Sequence, residues 1–211
     1  MKTIKSKVVT YPGKNKSNED FILCHKLADN GFIAILADGM GGLSYGAEAA
    51  KIVSDSILSA VLDKIQECSP EDALRLAFDV ANSVIYKKCR ELKCKMGAAV
   101  TVVLIIDDSL YYAWQGNVRL YKMTNGALSL LTTDHTLVGT ENIFLTRCVN
   151  GKGYRENVPV KHKKFEMGDK IYICSDGFYQ DMDIIAYSQQ NVDFSNANRV
   201  DDSSLIEIYK E

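Results

Sequence analysis

Residues Phe32–Ala37 read FIAILA, an apolar run that ends abruptly in Asp38-Gly39-Met40-Gly41-Gly42. Read as a buried strand, the run sets a carboxylate at the tip of a sheet, and the glycines behind it leave backbone free to approach a ligand closely. That arrangement suits a metal ion. The same residues also fit a glycine-rich strand-to-helix turn capped by Asp38.

The arrangement recurs. Lys170–Cys174 is a second apolar strand, closed by Ser175-Asp176-Gly177. Asp201-Asp202-Ser203-Ser204 opens the final strand, and Asn18-Glu19-Asp20 opens an early one. Each acidic site alone would be an exposed turn, because Asp, Asn, Ser and Gly favour turns through their own hydrogen bonds. Four acidic strand ends in one chain can instead converge on one point.

Runs rich in β-branched and aromatic residues predict further strands over Thr3–Thr10, Asp20–His25, Ala99–Ile106, Leu110–Trp114, Val118–Met123, Val158–Phe165 and Ser204–Tyr209. Two helical patterns interrupt them. The first runs from about Tyr45 to Glu67, with Ile52, Ile57, Leu58 and Val61 on one face. The second starts at Ser69 as N-cap, with Pro70 in the first helical position and Asp72 placed to close a capping box. Its apolar stripe is Leu74, Ala77, Phe78, Ala81, Val84 and Ile85. A shorter helix is predicted after Gly177, through Met182 to Tyr187. Strands, then helices, then strands again indicate an α+β fold with antiparallel sheets and helices on their outer faces. The polar stretches Asp134–Asn157 and Gln189–Asp202 are predicted as surface loops.

With 211 residues, 46% of them hydrophobic, the chain can bury one sizeable core, so residues 1–211 are expected to form a single domain. A net charge of -2 provides no basic field for nucleic acid or a membrane surface, and neither is expected as a partner. No apolar run approaches the roughly 18 residues of a membrane span, so a soluble, cytoplasmic protein is expected. The six cysteines are scattered without CxxC spacing and read as reduced, mostly buried small hydrophobes. Trp114 reads as core. Lys161, His162, Lys163 and Lys164 read as a solvated strand edge.

Carboxylates with a backbone carbonyl make an all-oxygen site suited to Mg²⁺ or Mn²⁺ rather than Zn²⁺. Four clustered carboxylates repel one another, and two divalent cations would cancel that charge. Two such ions, about 4 Å apart, can share and acidify a water that attacks phosphorus in line, so no side-chain nucleophile is needed.

The order and wording of the motifs resemble the metal-dependent type 2C (PPM) Ser/Thr protein phosphatases, in a compact bacterial form. The resemblance rests on Asn18-Glu19-Asp20, Asp38-Gly39-Met40-Gly41-Gly42 with Gly46, Met96-Gly97-Ala98-Ala99, Gly116-Asn117-Val118-Arg119, Thr133-Asp134-His135, Cys174-Ser175-Asp176-Gly177 and Asp201-Asp202. It implies a four-layer α-β-β-α sandwich, two antiparallel sheets flanked by helix pairs, with two Mn²⁺ or Mg²⁺ ions at one edge. By motif position Asp38 bridges both ions, Asp176 and Asp201 complete one site, and Glu19 and the Gly39 carbonyl serve the other. Asp20 and Asn117 stand behind them, and Asp134-His135 steadies a loop. The implied activity is hydrolysis of phosphoserine and phosphothreonine in proteins phosphorylated by a Ser/Thr kinase.

The chain departs from the family at instructive places. Asn15, between Lys14 and Lys16, stands where the family has a phosphate-binding Arg; these three are the candidate phosphate contacts. Asn117 replaces an Asp that helps hold a third metal. Met40 stands where many eukaryotic members carry His, which leaves protonation of the leaving group to water. These changes leave a second reading open, a weak or inactive phosphoprotein-binding module that keeps its metals.

Overall fold

In the computed structural model, residues 3–14, 17–28, 30–40, 45–139, 143–154, 156–190 and 199–211 are described. The FIAILA run lies in β3 (Phe32–Gly39), between β2 (Asp20–Lys26) and β4 (Ala98–Ile106). With β5 (Ser109–Gln115) and β10 (Val160–Lys164) they form an antiparallel sheet in the order β10-β5-β4-β3-β2. The second large sheet has the order β1-β12-β11-β6-β7. It is built from β1 (Ile4–Tyr11), β6 (Arg119–Thr124), β7 (Ala127–Leu130), β11 (Lys170–Cys174) and β12 (Ser203–Lys210).

The continuous apolar character of β3 follows from burial on both faces. Ile33, Ile35 and Ala37 pack under two helices, α1 (Gly46–Lys64) and α2 (Pro70–Leu92), against Val53, Ile57, Leu74 and Phe78. Ala34 and Leu36 face the other sheet and join Val103, Trp114, Leu120, Ile173 and Ile206 in the inter-sheet core. Edge strand β1 changes phase at Lys7-Val8: Ile4 joins the inter-sheet core, whereas Val9 and Tyr11 pack on the outer face. On the outer face of the second sheet, Tyr172, Cys174 and Leu205 pack with Phe178 and Ile184. Those two residues come from α3 (Asp176–Asp181) and α4 (Ile184–Gln190). The expected four-layer order is therefore present, with one long helix pair and one very short one.

The helix signals worked locally. The Ser69 hydroxyl oxygen accepts the Asp72 N–H at 3.1 Å and its proton goes to the Asp72 carboxylate at 2.8 Å, which fixes the start of α2. Within the predicted stripe, Val84 is out of place: it is exposed, while the other five are buried. The single helix expected after Gly177 is two, broken at Met182, whose backbone is extended.

Four expectations need correction. The stretch 134–157 is partly ordered as a hairpin, β8 (Thr136–Val138) with β9 (Ile143–Leu145), and Val149 exchanges both backbone hydrogen bonds with Ala98. In the stretch 189–202, of which residues 191–198 lie outside the described residues, Arg199 and Asp202 are buried rather than on the surface. Strand β7 carried too little periodicity to be read, since Ala127–Leu130 is short and mostly exposed. Among the cysteines only Cys174 is fully buried, and the other five are half-buried.

Candidate active site

Antiparallel pairing brings the acids together. The end of β3 lies beside the start of β2, with Asp38 opposite Asp20 in register. The end of β11 lies beside the start of β12. Each sheet thus delivers two acidic strand ends to the same edge of the sandwich. There Glu19, Asp38, Asp176 and Asp201 line one cavity of about 710 Å³, together with Gly39 and Asn117.

The backbone around these acids is tightly tied. The Gly39 N–H donates to the Glu19 carbonyl at 3.0 Å, joining the starts of the two motifs. A Cβ on Gly46, the first residue of α1, would lie 2.5 Å from the Glu19 carboxyl carbon, so only glycine leaves that carboxylate its place. Asp202 accepts the Gly13 N–H on one carboxylate oxygen at 2.7 Å and the Glu19 N–H on the other at 2.6 Å. The Ser175 hydroxyl donates to Asp20 at 2.8 Å, which links the first acidic motif to the third.

The cluster is electrostatically frustrated. Burial, and then the charges of Asp20, Asp176 and Asp201, push the Asp38 carboxyl well above the usual carboxylate range. Asp20 is raised to about 7 by burial and by Asp202 and Asp176, against the lowering effect of the Ser204 and Ser175 hydroxyls. Glu19 is raised by burial, then Asp202 and Asp201. Burial and Asp201 also raise Asp176, although Asp38, the Gly177 N–H and the Asn117 amide oppose the rise. Asp38 and Asp176 face each other across the two sheets closely enough that each alters the other's protonation. Such a pair is stable only with a shared proton or with cations between the carboxylates.

The donor set fits divalent metal ions. Six acids line the cavity (Glu19, Asp38, Asp134, Asp176, Asp201 and Asp202) against one cation, Arg119, and Arg119 is already held bidentately by Asp134. The charged donors are all carboxylate oxygens, as Mg²⁺ and Mn²⁺ prefer; the sulfurs on the wall are the Met40 thioether and the Cys148 thiol, which burial keeps protonated. Among the described residues no three acids close into a single compact cage. The acids are spread over the cavity wall, as suits ions that would keep several waters in their shells.

Asn117 donates its amide to Asp176 at 3.0 Å, and its amide oxygen is buried with no hydrogen-bond partner among the described residues. Lys14 is exposed at the start of the loop leading to Glu19. Asn15 and Lys16, the other expected phosphate contacts, lie outside the described residues. Asp134 and His135 occupy the loop they were expected to steady: Asp134 pairs with Arg119, while His135 accepts the Gly116 N–H at 3.1 Å and stacks on Trp114 at 5.9 Å.

Residues 13–203 match the family described as protein phosphatase 2C. The chain belongs to that family. A Streptococcus pyogenes (serotype M6) protein whose name assigns it to the protein phosphatase 2C type is 29% identical over 136 residues. That match takes in 59% of this chain, which spans about half, 52%, of the relative. Among solved structures, a Streptococcus agalactiae serine/threonine phosphatase superposes with a TM-score of 0.81 at 24% identity, covering 99% of this chain and 100% of its own. Staphylococcus aureus Stp1 gives 0.83 at 20% identity, over 99% and 96%. The catalytic domain of PstP, whose structure holds two manganese ions, gives 0.80 at 20%, over 100% and 99%. At these identities the superpositions establish the fold.

Within this phosphatase 2C member, three features of the cavity are not evident in the sequence. Arg119 belongs to the Gly116-Asn117-Val118-Arg119 motif, yet its packing against the Tyr179 ring, 3.8 Å from the centroid, depends on α3 and is not encoded near residue 119. Phe144, Leu145 and Thr136 reach the cavity because the loop folds back as the β8–β9 hairpin. Asp202 was visible as the second acid of its pair, but its role as acceptor for two distant backbone amides was not.

Proposed function

We propose that this chain hydrolyses phosphoserine and phosphothreonine in proteins, using two Mn²⁺ or Mg²⁺ ions held by Glu19, Asp38, the Gly39 carbonyl, Asp176 and Asp201. The observation that carries the reading is the convergence of acidic strand ends from both sheets on one cavity, in a chain of the phosphatase 2C family. Because Glu19 and Asp38 come from one sheet and Asp176 and Asp201 from the other, residues 1–211 act on this reading as one domain.

Bound ions would supply neutralising charge, polarise the phosphoryl oxygens and acidify the attacking water. The chain does the positioning. Asp38 shares the cavity with Asp176 at the junction of the sheets, where its carboxylate would be placed to serve both ions. The Asn117 amide fixes the rotamer of Asp176. Asp202 holds the backbone of Glu19, and Asp20, gripped by Ser175, stands behind the first acid pair. Met40 lines the cavity without a proton to give, so the leaving alkoxide takes its proton from water. Lys14, Asn15 and Lys16 are the proposed contacts for the substrate phosphate.

No helix among the described residues is long and apolar enough to cross a membrane. All six cysteines are free, in keeping with a reducing cytoplasmic setting. Substrates on this reading are phosphoproteins produced by a Ser/Thr kinase. The test is hydrolysis of p-nitrophenyl phosphate and of a phosphothreonine peptide with and without Mn²⁺, in the wild type and in Asp38→Ala. Mn²⁺-dependent turnover that Asp38→Ala abolishes while keeping its circular dichroism spectrum is the expected outcome. Turnover retained by Asp38→Ala would show that the site is misplaced. A wild type that binds two Mn²⁺ without hydrolysing either substrate would favour the binding-module reading.

A further inference from the structure

A second cavity, of about 520 Å³, adjoins the first and shares Met40 and Asn150 with it. Cys89, Cys94 and the buried Met96 give it an apolar floor, and Tyr86 stands at its edge, 51% exposed. Arg90, Lys95 and Lys152 line it as well, all three exposed, and no acid does. Lys88, two residues before Arg90, is paired with Glu48 and Glu91. Among the described residues Arg90, Lys95 and Lys152 have no such pairing. Arg90 alone would be explained as a cation in the last turn of α2, complementing the helix dipole. Lys95, just past the C-cap, shares that explanation, but Lys152 belongs to another segment, so the dipole does not account for the whole group. In a chain of net charge -2, three cations with no ion pair among the described residues around an apolar groove are a local feature.

The walls of the groove are built rather than loose. Helix α2 ends where Lys93 adopts a left-handed conformation, φ 51°, and the Cys94 N–H donates back to the Cys89 carbonyl. The opposite wall is held by the Val149–Ala98 backbone pair and by the Gly151 N–H on Asn82 at 2.8 Å. Gly151 has φ 79°, and a Cβ there would lie 2.7 Å from the Tyr86 Cα. The loop is thus seated directly on α2, and the groove exists before anything enters it.

We infer that this groove receives the stretch of a phosphoprotein that flanks the phosphorylated residue, selecting an apolar side chain for the floor and acidic side chains for the rim. The inference rests on the phosphatase reading for the neighbouring cavity. Two observations name the occupant: the groove runs into the catalytic cavity at Met40 and Asn150, and its free charge is of one sign. Exposed cations of this kind add modest affinity and mainly discriminate against the wrong charge.

The test uses two fluorescein-labelled phosphothreonine peptides, one with Leu and Glu on both sides of the phosphoresidue and one with Gln in place of Glu. Binding is followed by anisotropy in metal-free buffer at low and high salt, and kcat/KM is measured with Mn²⁺. The wild type should favour the Glu peptide by about tenfold at low salt, a preference that shrinks as salt rises. The triple variant Arg90→Glu/Lys95→Glu/Lys152→Glu should lose that preference through KM while its turnover of p-nitrophenyl phosphate is unchanged. The neutral variant Lys95→Gln/Lys152→Gln, gentler on the fold, should fall between the two. Equal binding of both peptides by the wild type, or a preference that survives in the triple variant, would overturn the inference. Selective binding of the Glu peptide without hydrolysis would uphold the groove and count against the phosphatase reading instead.

Discussion

Asp202→Asn removes a negative charge at nearly constant volume, and its consequences can be worked from geometry. Asp202 is 7% exposed and accepts the backbone amides of Gly13 and Glu19, one on each carboxylate oxygen. Asparagine keeps one acceptor oxygen and presents an NH₂ to the other amide, so at least one charge-assisted bond is lost. Such a bond contributes about 1.5–3 kcal/mol. In the opposite direction, the charge of Asp202 contributes to the raised carboxyls of Glu19 and Asp20, and removing it relieves repulsion with both. Because Glu19 is only part-buried, that relief is on the order of 0.5–1 kcal/mol. The bond wins, and Asp202→Asn should be destabilised by about 1–2 kcal/mol without metal. With saturating Mn²⁺ the repulsion is already neutralised, so the deficit should widen towards the full cost of the bond. Urea unfolding reports this directly, because the chain has a single tryptophan, Trp114, packed between the sheets. The midpoint should fall while the slope stays constant. Calorimetric titration should show weaker Mn²⁺ binding, since Glu19 loses its backbone anchor. An Asp202→Asn variant whose urea midpoints match the wild type both with and without Mn²⁺ would refute the reasoning.

Asn117→Asp should create a third, weaker Mn²⁺ site beside Asp176 and raise kcat, because the carboxylate adds charge where an unpartnered amide oxygen now sits; a third ion already bound to the wild type in metal titration would contradict this. His135 gives a pH dependence. Burial and then Arg147 lower its pKa to about 4, so between there and the unfolded value near 6.5 the folded state binds fewer protons than the unfolded state. Its contribution is therefore complete above pH 6.5 and declines as pH falls towards 4. After discounting for its partial exposure, about 1 kcal/mol should be lost between pH 7.5 and 5.0. His135→Gln should flatten the urea-midpoint profile over that range, and an unchanged profile would show that His135 does not carry it.

What the sequence determined by itself was local in origin. FIAILA was legible as a buried strand because burial on both faces leaves no alternation, and Ser69-Pro70 fixed a helix start because capping uses neighbours in the chain. The acids at Glu19, Asp38, Asp176 and Asp201 were legible because each interrupts an apolar run at a strand end. Their meeting at one cavity is a property of antiparallel pairing and of two sheets stacked face to face, which no single segment encodes. The same holds for Asp202, whose partners Gly13 and Glu19 lie more than 180 residues away. It holds too for Arg119 on Tyr179 and for the basic groove, where Arg90 and Lys152 come together only because Gly151 docks on α2. The hairpin of residues 136–145 escaped detection because three-residue strands are too short for a two-residue period to show, and their pairing exists only against each other. Periodicity and capping are written in adjacent residues, whereas a hydrogen bond or a shared cavity between distant segments depends on where the fold brings them.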